Sequence, residues 1–307
     1  MNETRQVIII GGGPAGLAAG LYTSRARLSN LLIEKGIMGG LMVLAEVIEN
    51  YPGFPEGISG YDLAELMHKQ ATKYGLATLV AEVAGFEVQG KLKVVRTSQG
   101  DFAARVVIIA GGSERQKLGV PGEKDFIGKG VSYCATCDAT FFEGVPVAIV
   151  GGGDSAISEA LHLTKYASKV TLIHRRDQLR ATRIMQEKAF AEPKMEFRWS
   201  SVVESIEGDT TVNRLRLRQV ATGEKSTLEV AGIFVSVGFK PNTAYLKGIV
   251  PLDAGGLIIT NDKMETEIPG VYAAGDIRHN SGRQVITAAG EGAAAAINAE
   301  HFVTESG

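Results

Sequence analysis

Cysteine is scarce in this chain: two occur among 307 residues, and tryptophan occurs once. So few cysteines rule out a disulfide framework, and stability must come from apolar burial. Histidines number five, at positions 68, 162, 174, 279 and 301, with no paired ligand spacing, which argues against a zinc site. Charge of one sign is also lacking. Thirty-two basic and thirty-four acidic residues leave a net charge of −2 without a dense Lys/Arg run, so neither nucleic acid nor an anionic membrane is an expected partner. No apolar run reaches the roughly eighteen residues of a membrane span. The start "MNETRQVIIIGGG" breaks its apolar stretch with glycine, unlike a secretory signal. These absences predict an intracellular, cytoplasmic protein, where a spaced cysteine pair is more often catalytic or metal-binding than structural.

The chain is 45% hydrophobic, enough for about two domains with separate cores. Two segments resemble each other, "VIIIGGGPAGLAAG" from Val7 and "VAIVGGGDSAISEA" from Val147, at an offset of 140 residues. Each has a β-branched apolar run suited to a buried parallel strand, then glycines, then a small-residue helix, the opening of a dinucleotide-binding unit. Both copies continue through a second strand ("LSNLLIEKG", "SKVTLIHRRD") and later through strands flanking the turns "SQGD" and "ATGEK". The chain therefore reads as a duplicated α/β module. A last segment, from "GLIITNDKMETEIPGVYAAGDIRHN" to "RQVITAAGEGAAAAINAEHFV", has no partner in the second copy and is expected to return to the first.

In the first turn Gly11, Gly13 and Gly16 fit G-x-G-x-x-G, with phosphates expected on the helix N-terminus. Glu34 lies at the end of the next strand, where a carboxylate can accept hydrogen bonds from a ribose diol. The second turn has Gly151, Gly153 and Ala156, and the same offset puts His174 where Glu34 stands, followed by Arg175, Arg176 and Arg180. A carboxylate repels a ribose 2′-phosphate, whereas guanidiniums bind it through paired charged hydrogen bonds. At roughly 1.5–3 kcal/mol per charged hydrogen bond, two such bonds favour the phosphorylated nucleotide about a hundredfold or more. The second site is expected to prefer NADPH, and the first to hold a different nucleotide, with FAD the natural candidate. Asp276, after "GVYAAG", suits the polar chain of a flavin or a plain helix cap. The helix starting near Arg283 and Gln284 would aim its positive end at the ring.

Both cysteines fall in "SYCATCDATFF", Cys134 and Cys137, with Asp138 next. A metal clip would need two more ligands. Two inert thiols remain open as a reading, but a pair three residues apart on a helical turn can also open and close as a two-electron store. Asp138 suits proton transfer beside it, or helix capping.

Taken in order, "GGGPAG", "ENYPG", "CATCD", "GGGDSA", "HRRDQLR", "GVYAAGD" and "RQVITAAGEG" resemble the low-molecular-weight thioredoxin reductases, along nearly the whole chain. The cysteines lie just before the second glycine turn, whereas glutathione reductase-like enzymes carry theirs in the first module. The resemblance implies an α/β fold of two Rossmann-like domains, three-layer ββα and glutathione reductase-like. It implies a discontinuous FAD-binding domain at 1–114 plus 244–307 and an NADPH-binding domain with the cysteines at 115–243. It further implies a homodimer passing electrons from NADPH through FAD to the dithiol and on to thioredoxin, with the domains rotating so that nicotinamide and dithiol take turns at the flavin. Cys137 would face the flavin, Cys134 would attack thioredoxin, and Asp138 would be the acid/base. FAD would lie among Gly11, Gly13, Pro14, Ala15, Gly16, Glu34, Gly40, Asn50, Gly112, Gly275, Asp276, Arg283, Gln284 and Val285. NADPH would lie among Gly151, Gly153, Asp154, Ser155, Ala156, His174, Arg175, Arg176 and Arg180. Three departures stand out: Ala139 where many relatives have glycine, "IIAGG" for "ATG", and "KGIMGGLMVLAEV" for a more polar segment. Other readings are a related dithiol flavoenzyme serving another carrier or fed by ferredoxin, an oxygen-dependent dithiol oxidase, and a nucleotide sensor with a dithiol switch.

Overall fold

The computed structural model describes residues 4–305 apart from Glu46. In chain order the first passage contains β1 (Arg5–Ile10), α1 (Pro14–Arg25), β2 (Asn30–Glu34), a 3-10 turn (Gly40–Leu44), α2 (Gly60–Lys73), β3 (Thr78–Val80), β4 (Val83–Gln89), β5 (Leu92–Thr97), β6 (Gly100–Ile109) and β7 (Ser113–Arg115). The second contains β8 (Val131–Ser132), α3 (Ala135–Asp138), β9 (Pro146–Gly151), α4 (Asp154–Leu163), β10 (Lys169–Ile173), α5 (Arg183–Ala191) and β11 (Met195–Arg198). It continues with β12 (Ser201–Gly208), β13 (Val212–Gln219), β14 (Lys225–Glu229), β15 (Gly232–Ser236) and β16 (Phe239–Pro241). The third adds β17 (Val271–Ala273) and α6 (Val285–Glu305). These passages form two compact units, Met1–Glu114 with Lys240–Gly307, and Arg115–Phe239.

The first unit is built on β3-β2-β1-β6-β5-β4, with β17 also paired to β6. Strands β3, β2, β1, β6 and β17 are parallel, whereas β5 and β4 turn back antiparallel. The ten-residue β6 explains how one strand borders both: Gly100–Ala104 pairs with β5, and Val107–Ile109 pairs with β17. Alternate residues of β1 go to opposite faces. Val7 and Ile9 join a core with Leu17, Leu63 and Ala295 from α1, α2 and α6. Ile8 and Ile10 pack with Leu246, Val250 and Ile258 on the other face. Burial on both faces is why this strand reads as an unbroken apolar run.

The second unit has the parallel sheet β11-β10-β9-β15-β8 and the antiparallel sheet β12-β13-β14. Val147 and Ile149 of β9 face Ile157, Ala160 and Leu163 of α4, while Ala148 and Val150 face Val203, Leu215 and Leu217 of the antiparallel sheet. Helix, sheet and sheet thus form three layers. The sequence stretch "STLEVAGIFVSVG" proves to be two strands, β14 and β15, in different sheets. Its counterpart in the first unit is the single long β6. No helix among the described residues is long and apolar enough to cross a membrane.

Helices α1 and α6 cross where glycine is required. A Cβ at Gly292 would stand 2.0 Å from the Ala15 carbonyl oxygen. Alanine is intrinsically the better helix former by about 1 kcal/mol, yet overpacking costs about 1–3 kcal/mol. Because the clash is with backbone, the overpacking cost falls at the upper end of that range, and Gly292→Ala is expected to lower stability by about 2 kcal/mol net, measured by denaturant unfolding. An unchanged midpoint would show that the helices can separate freely.

Candidate functional site

In the first unit the chain turns sharply between β1 and α1. Gly11 has φ +103°, and a Cβ there would lie 2.3 Å from the Ala110 carbonyl oxygen. A Cβ at Gly16 would lie 1.8 Å from the Gly11 oxygen, so helix and turn touch backbone to backbone. Gly13 caps α1 and Pro14 opens it, with no acidic residue in the first turn. A Cβ at Gly13 would meet nothing within 4 Å, which leaves an open approach to the helix N-terminus. Glu34, at the end of β2, accepts the Gly12 N–H at 2.7 Å and the Gly36 N–H at 2.9 Å.

Other expected residues gather around this turn. Gly39 donates to the Gly12 carbonyl at 2.7 Å, and a Cβ on Gly40 would lie 3.2 Å from the Gly13 Cα. Asn50 donates through Nδ2 to Gln284 Oε1 at 2.9 Å, joining two residues far apart in sequence. Gly275 presses on the start of α1, a Cβ there lying 3.1 Å from that of Ala15. Asp276 follows, half-buried; burial raises its pKa, and the charge of Arg283 opposes the rise. It is no cap of α6, which begins at Val285, directly after Gln284 and close to where the sequence places its start. Arg283 is held at φ +51°, a conformation uncommon for its residue type. Gly112, at φ +59°, is tied to Asn242, whose main-chain and side-chain N–H groups donate to the Gly112 and Gly111 carbonyls. Sequence reasoning missed Tyr245 here. Its hydroxyl is buried without a partner, and burial raises its pKa. Of the unusual "KGIMGGLMVLAEV" segment, Glu46 lies outside the described residues; φ values of +113° and +58° account for Gly39 and Gly40.

In the second unit Gly151 is required by space rather than by φ: a Cβ there would come within 2.5 Å of the Ser236 oxygen. Gly153 caps α4 and faces open space, as Gly13 does. Asp154, the first residue of α4, accepts the Thr182 N–H at 2.6 Å and its hydroxyl at 3.1 Å. The Gly152 carbonyl accepts the Arg180 N–H at 2.7 Å, so the loop after β10 is fastened to the turn. His174 is buried with its ring beneath Gly152, and its Nε2 has no partner. Burial, helped by Arg180, Arg176 and Arg175, lowers its pKa, although a Gly151 backbone hydrogen bond opposes this. Arg175, Arg176, Arg180 and Ser155 are exposed, while Ala156 is buried against the turn.

Cys134 and Cys137 form a disulfide, with Cα atoms 5.3 Å apart. Cys134, half-buried, is the N-cap of α3, and its Sγ accepts the Cys137 N–H at 3.2 Å. Such an N–H also favours negative charge on that sulfur once the bond opens. Cys137 is exposed. The Asp138 carboxylate caps no helix; it accepts the Ser132 hydroxyl at 2.7 Å. The same hydroxyl oxygen accepts the Cys134 N–H at 3.0 Å, so Ser132 links the acid to the main chain of Cys134. Its place two residues before Cys134 was the only signal in the sequence. Ala139 has ordinary helical φ and ψ, −56° and −36°, so nothing there requires glycine.

Both cradles fit dinucleotides: each pairs an open glycine N-cap with a helix start, and the second adds three exposed guanidiniums. A reactive disulfide in a chain with two such turns defines a flavin- and nicotinamide-linked disulfide oxidoreductase. Residues 5–292 match the family described as pyridine nucleotide-disulphide oxidoreductase, and the chain belongs to it. Among its relatives, the thioredoxin reductase of Peptoclostridium acidaminophilum is 44% identical, covering 99% of this chain and 98% of its own length. That of Bacillus subtilis is 46% identical, covering 99% and 97%. The crystal structure of Lactococcus lactis thioredoxin reductase matches with TM-score 0.96 and 42% identity, over 98% of this chain and 99% of that one. The resemblance read from the motifs, and the fold class with it, is borne out.

Ser132→Ala removes the link between Asp138 and Cys134. Both hydrogen bonds of the hydroxyl are lost; the one that holds the Asp138 carboxylate, worth about 1 kcal/mol, bears on proton transfer, and its loss is expected to slow reduction of the disulfide by a small dithiol up to about tenfold. Stopped assay and thiol titration measure it, and a wild-type rate would mean that Ser132 orients nothing.

Proposed function

We propose that the chain is a thioredoxin-disulfide reductase that takes electrons from NADPH through FAD to the Cys134–Cys137 pair and delivers them to thioredoxin. The observation that carries the reading is the disulfide itself, held on one helical turn with Ser132 and Asp138 beside it, in the unit that also bears the arginine-flanked glycine turn. The first unit is then the FAD-binding domain and the second the NADPH-binding domain. FAD, when bound, supplies the two-electron relay between nicotinamide and dithiol.

The chain's own residues bind and move protons. Gly11, Gly13 and Gly16 bring main chain to the pyrophosphate of FAD, and Glu34 keeps acceptor capacity for its ribose. Asn50, Gln284 and Asp276 surround the polar remainder. Arg175, Arg176 and Arg180 take the 2′-phosphate of NADPH, and neutral, buried His174 supports the turn beneath it. In the reduced pair, Cys134 attacks one sulfur of the thioredoxin disulfide, forming a mixed disulfide and expelling the other sulfur as thiolate. Cys137 then attacks Cys134, re-forming the internal bond and releasing the second thiolate, and Asp138 passes a proton to a departing sulfur. The attacking role rests on the family pattern; Cys137, exposed on its turn, is the thiol open to the electron donor. A homodimer and a cytoplasmic location complete the proposal.

Two variants test it. Cys134→Ser is expected to retain NADPH-dependent bleaching of the yellow chromophore while reduction of thioredoxin falls below detection in a coupled assay. Retained turnover with thioredoxin would overturn the cysteine assignment. Replacing Arg175 and Arg176 by Ala is expected to raise KM for NADPH about a hundredfold and leave KM for NADH nearly unchanged. Equal losses with both nucleotides would exclude a phosphate clamp.

A further inference from the structure

A largely buried carboxylate on α6 has no part in the chemistry above. Glu291 is 12% exposed and accepts the Gly275 N–H through Oε2 at 2.7 Å. Arg278 Nε lies 3.1 Å from the same oxygen, an ion-pair distance without hydrogen-bond alignment, and Arg278 is equally buried. The guanidinium is held in place by Thr260 Oγ1 at 3.1 Å and the His279 carbonyl at 2.9 Å.

Gly275 and Arg278 are the two ends of one turn, the Arg278 N–H donating to the Gly275 carbonyl at 3.1 Å. Asp276 is the second residue of that turn. Gly275 stands at φ +78°, wedged between Ala15 of α1 and Ala288 of α6, so the turn has one narrow way to sit. With Asp276 half-buried close by, a second carboxylate is a costly neighbour, and burial together with Asp276 raises the pKa of Glu291 against the pull of Gly275 and Arg278. A charge placed at such cost, and satisfied by both ends of a turn, points to that turn as its purpose.

We propose that Glu291 is a positioning residue for flavin retention: one oxygen clamps both ends of the Gly275–Arg278 turn and so fixes the direction in which Asp276 is presented. The inference rests on the reading of the first unit as the FAD domain.

The test is equilibrium titration of the apoprotein with FAD, alongside its melting temperature. Glu291→Ala is expected to weaken FAD binding about tenfold or more, because the buried Gly275 N–H loses its acceptor. Glu291→Gln keeps an acceptor of the same length and is expected to stay within about threefold of wild type. Should the alanine variant fail to fold, Glu291→Met fills the space without an accepting oxygen and is expected to show the tenfold loss. Wild-type affinity in Glu291→Ala or Glu291→Met, or a Gln variant as weak as they are, would overturn the clamp. Wild-type protein that holds no FAD would instead overturn the reading of the domain.

Discussion

Backbone meets backbone at the first glycine turn in less room than a methyl group occupies. A Cβ at Gly16 would fall 1.8 Å from the Gly11 oxygen, and one at Gly292 would fall 2.0 Å from the Ala15 oxygen. These two contacts bring the start of α1, the end of β1 and the length of α6 to one point. Everything the first unit offers a nucleotide follows from that convergence: unpaired N–H groups at a helix start, an open face at Gly13, and the Gly275–Arg278 turn pressed against Ala15. The closeness comes from the absence of side chains rather than from any strong attraction.

The second unit uses the same scaffold for different chemistry. Gly151 needs space rather than a left-handed φ, and Ala156 stands where Gly16 does, so this turn is looser by one methyl. Glu34 and His174 occupy matching places, and both lie on the middle glycine of their turns, one accepting the Gly12 N–H and the other packing its ring beneath Gly152. Burial lowers the pKa of the His174 ring, the guanidiniums that follow it add to that effect, and they remain exposed themselves. A change at one strand end thus replaces a carboxylate beside the glycine turn with a buried imidazole followed by exposed guanidiniums.

Much of this was legible in the residues. Parallel strands buried on both faces announce themselves as apolar runs, glycine spacing marks the turns, and Cys-x-x-Cys on a helical turn sets a distance that a disulfide can span. Less legible were partners that reach across the chain. Nothing in "SYCATCD" says that Ser132 holds both Asp138 and Cys134, and nothing near Asn50 points to Gln284. The division of "STLEVAGIFVSVG" between two sheets also escapes periodicity, since both pieces are strands.

The sequence by itself determined the duplicated module, the two kinds of nucleotide site and the dithiol, because each depends on local geometry: strand period, glycine conformation and spacing along one helical turn. Only the tertiary structure decided that Glu291 meets Gly275 and Arg278, that the Tyr245 hydroxyl lies buried near Gly111, and that Asp138 is anchored rather than capping. Those contacts join segments brought together by packing, and hydrogen bonds between distant residues leave no periodic trace in the chain.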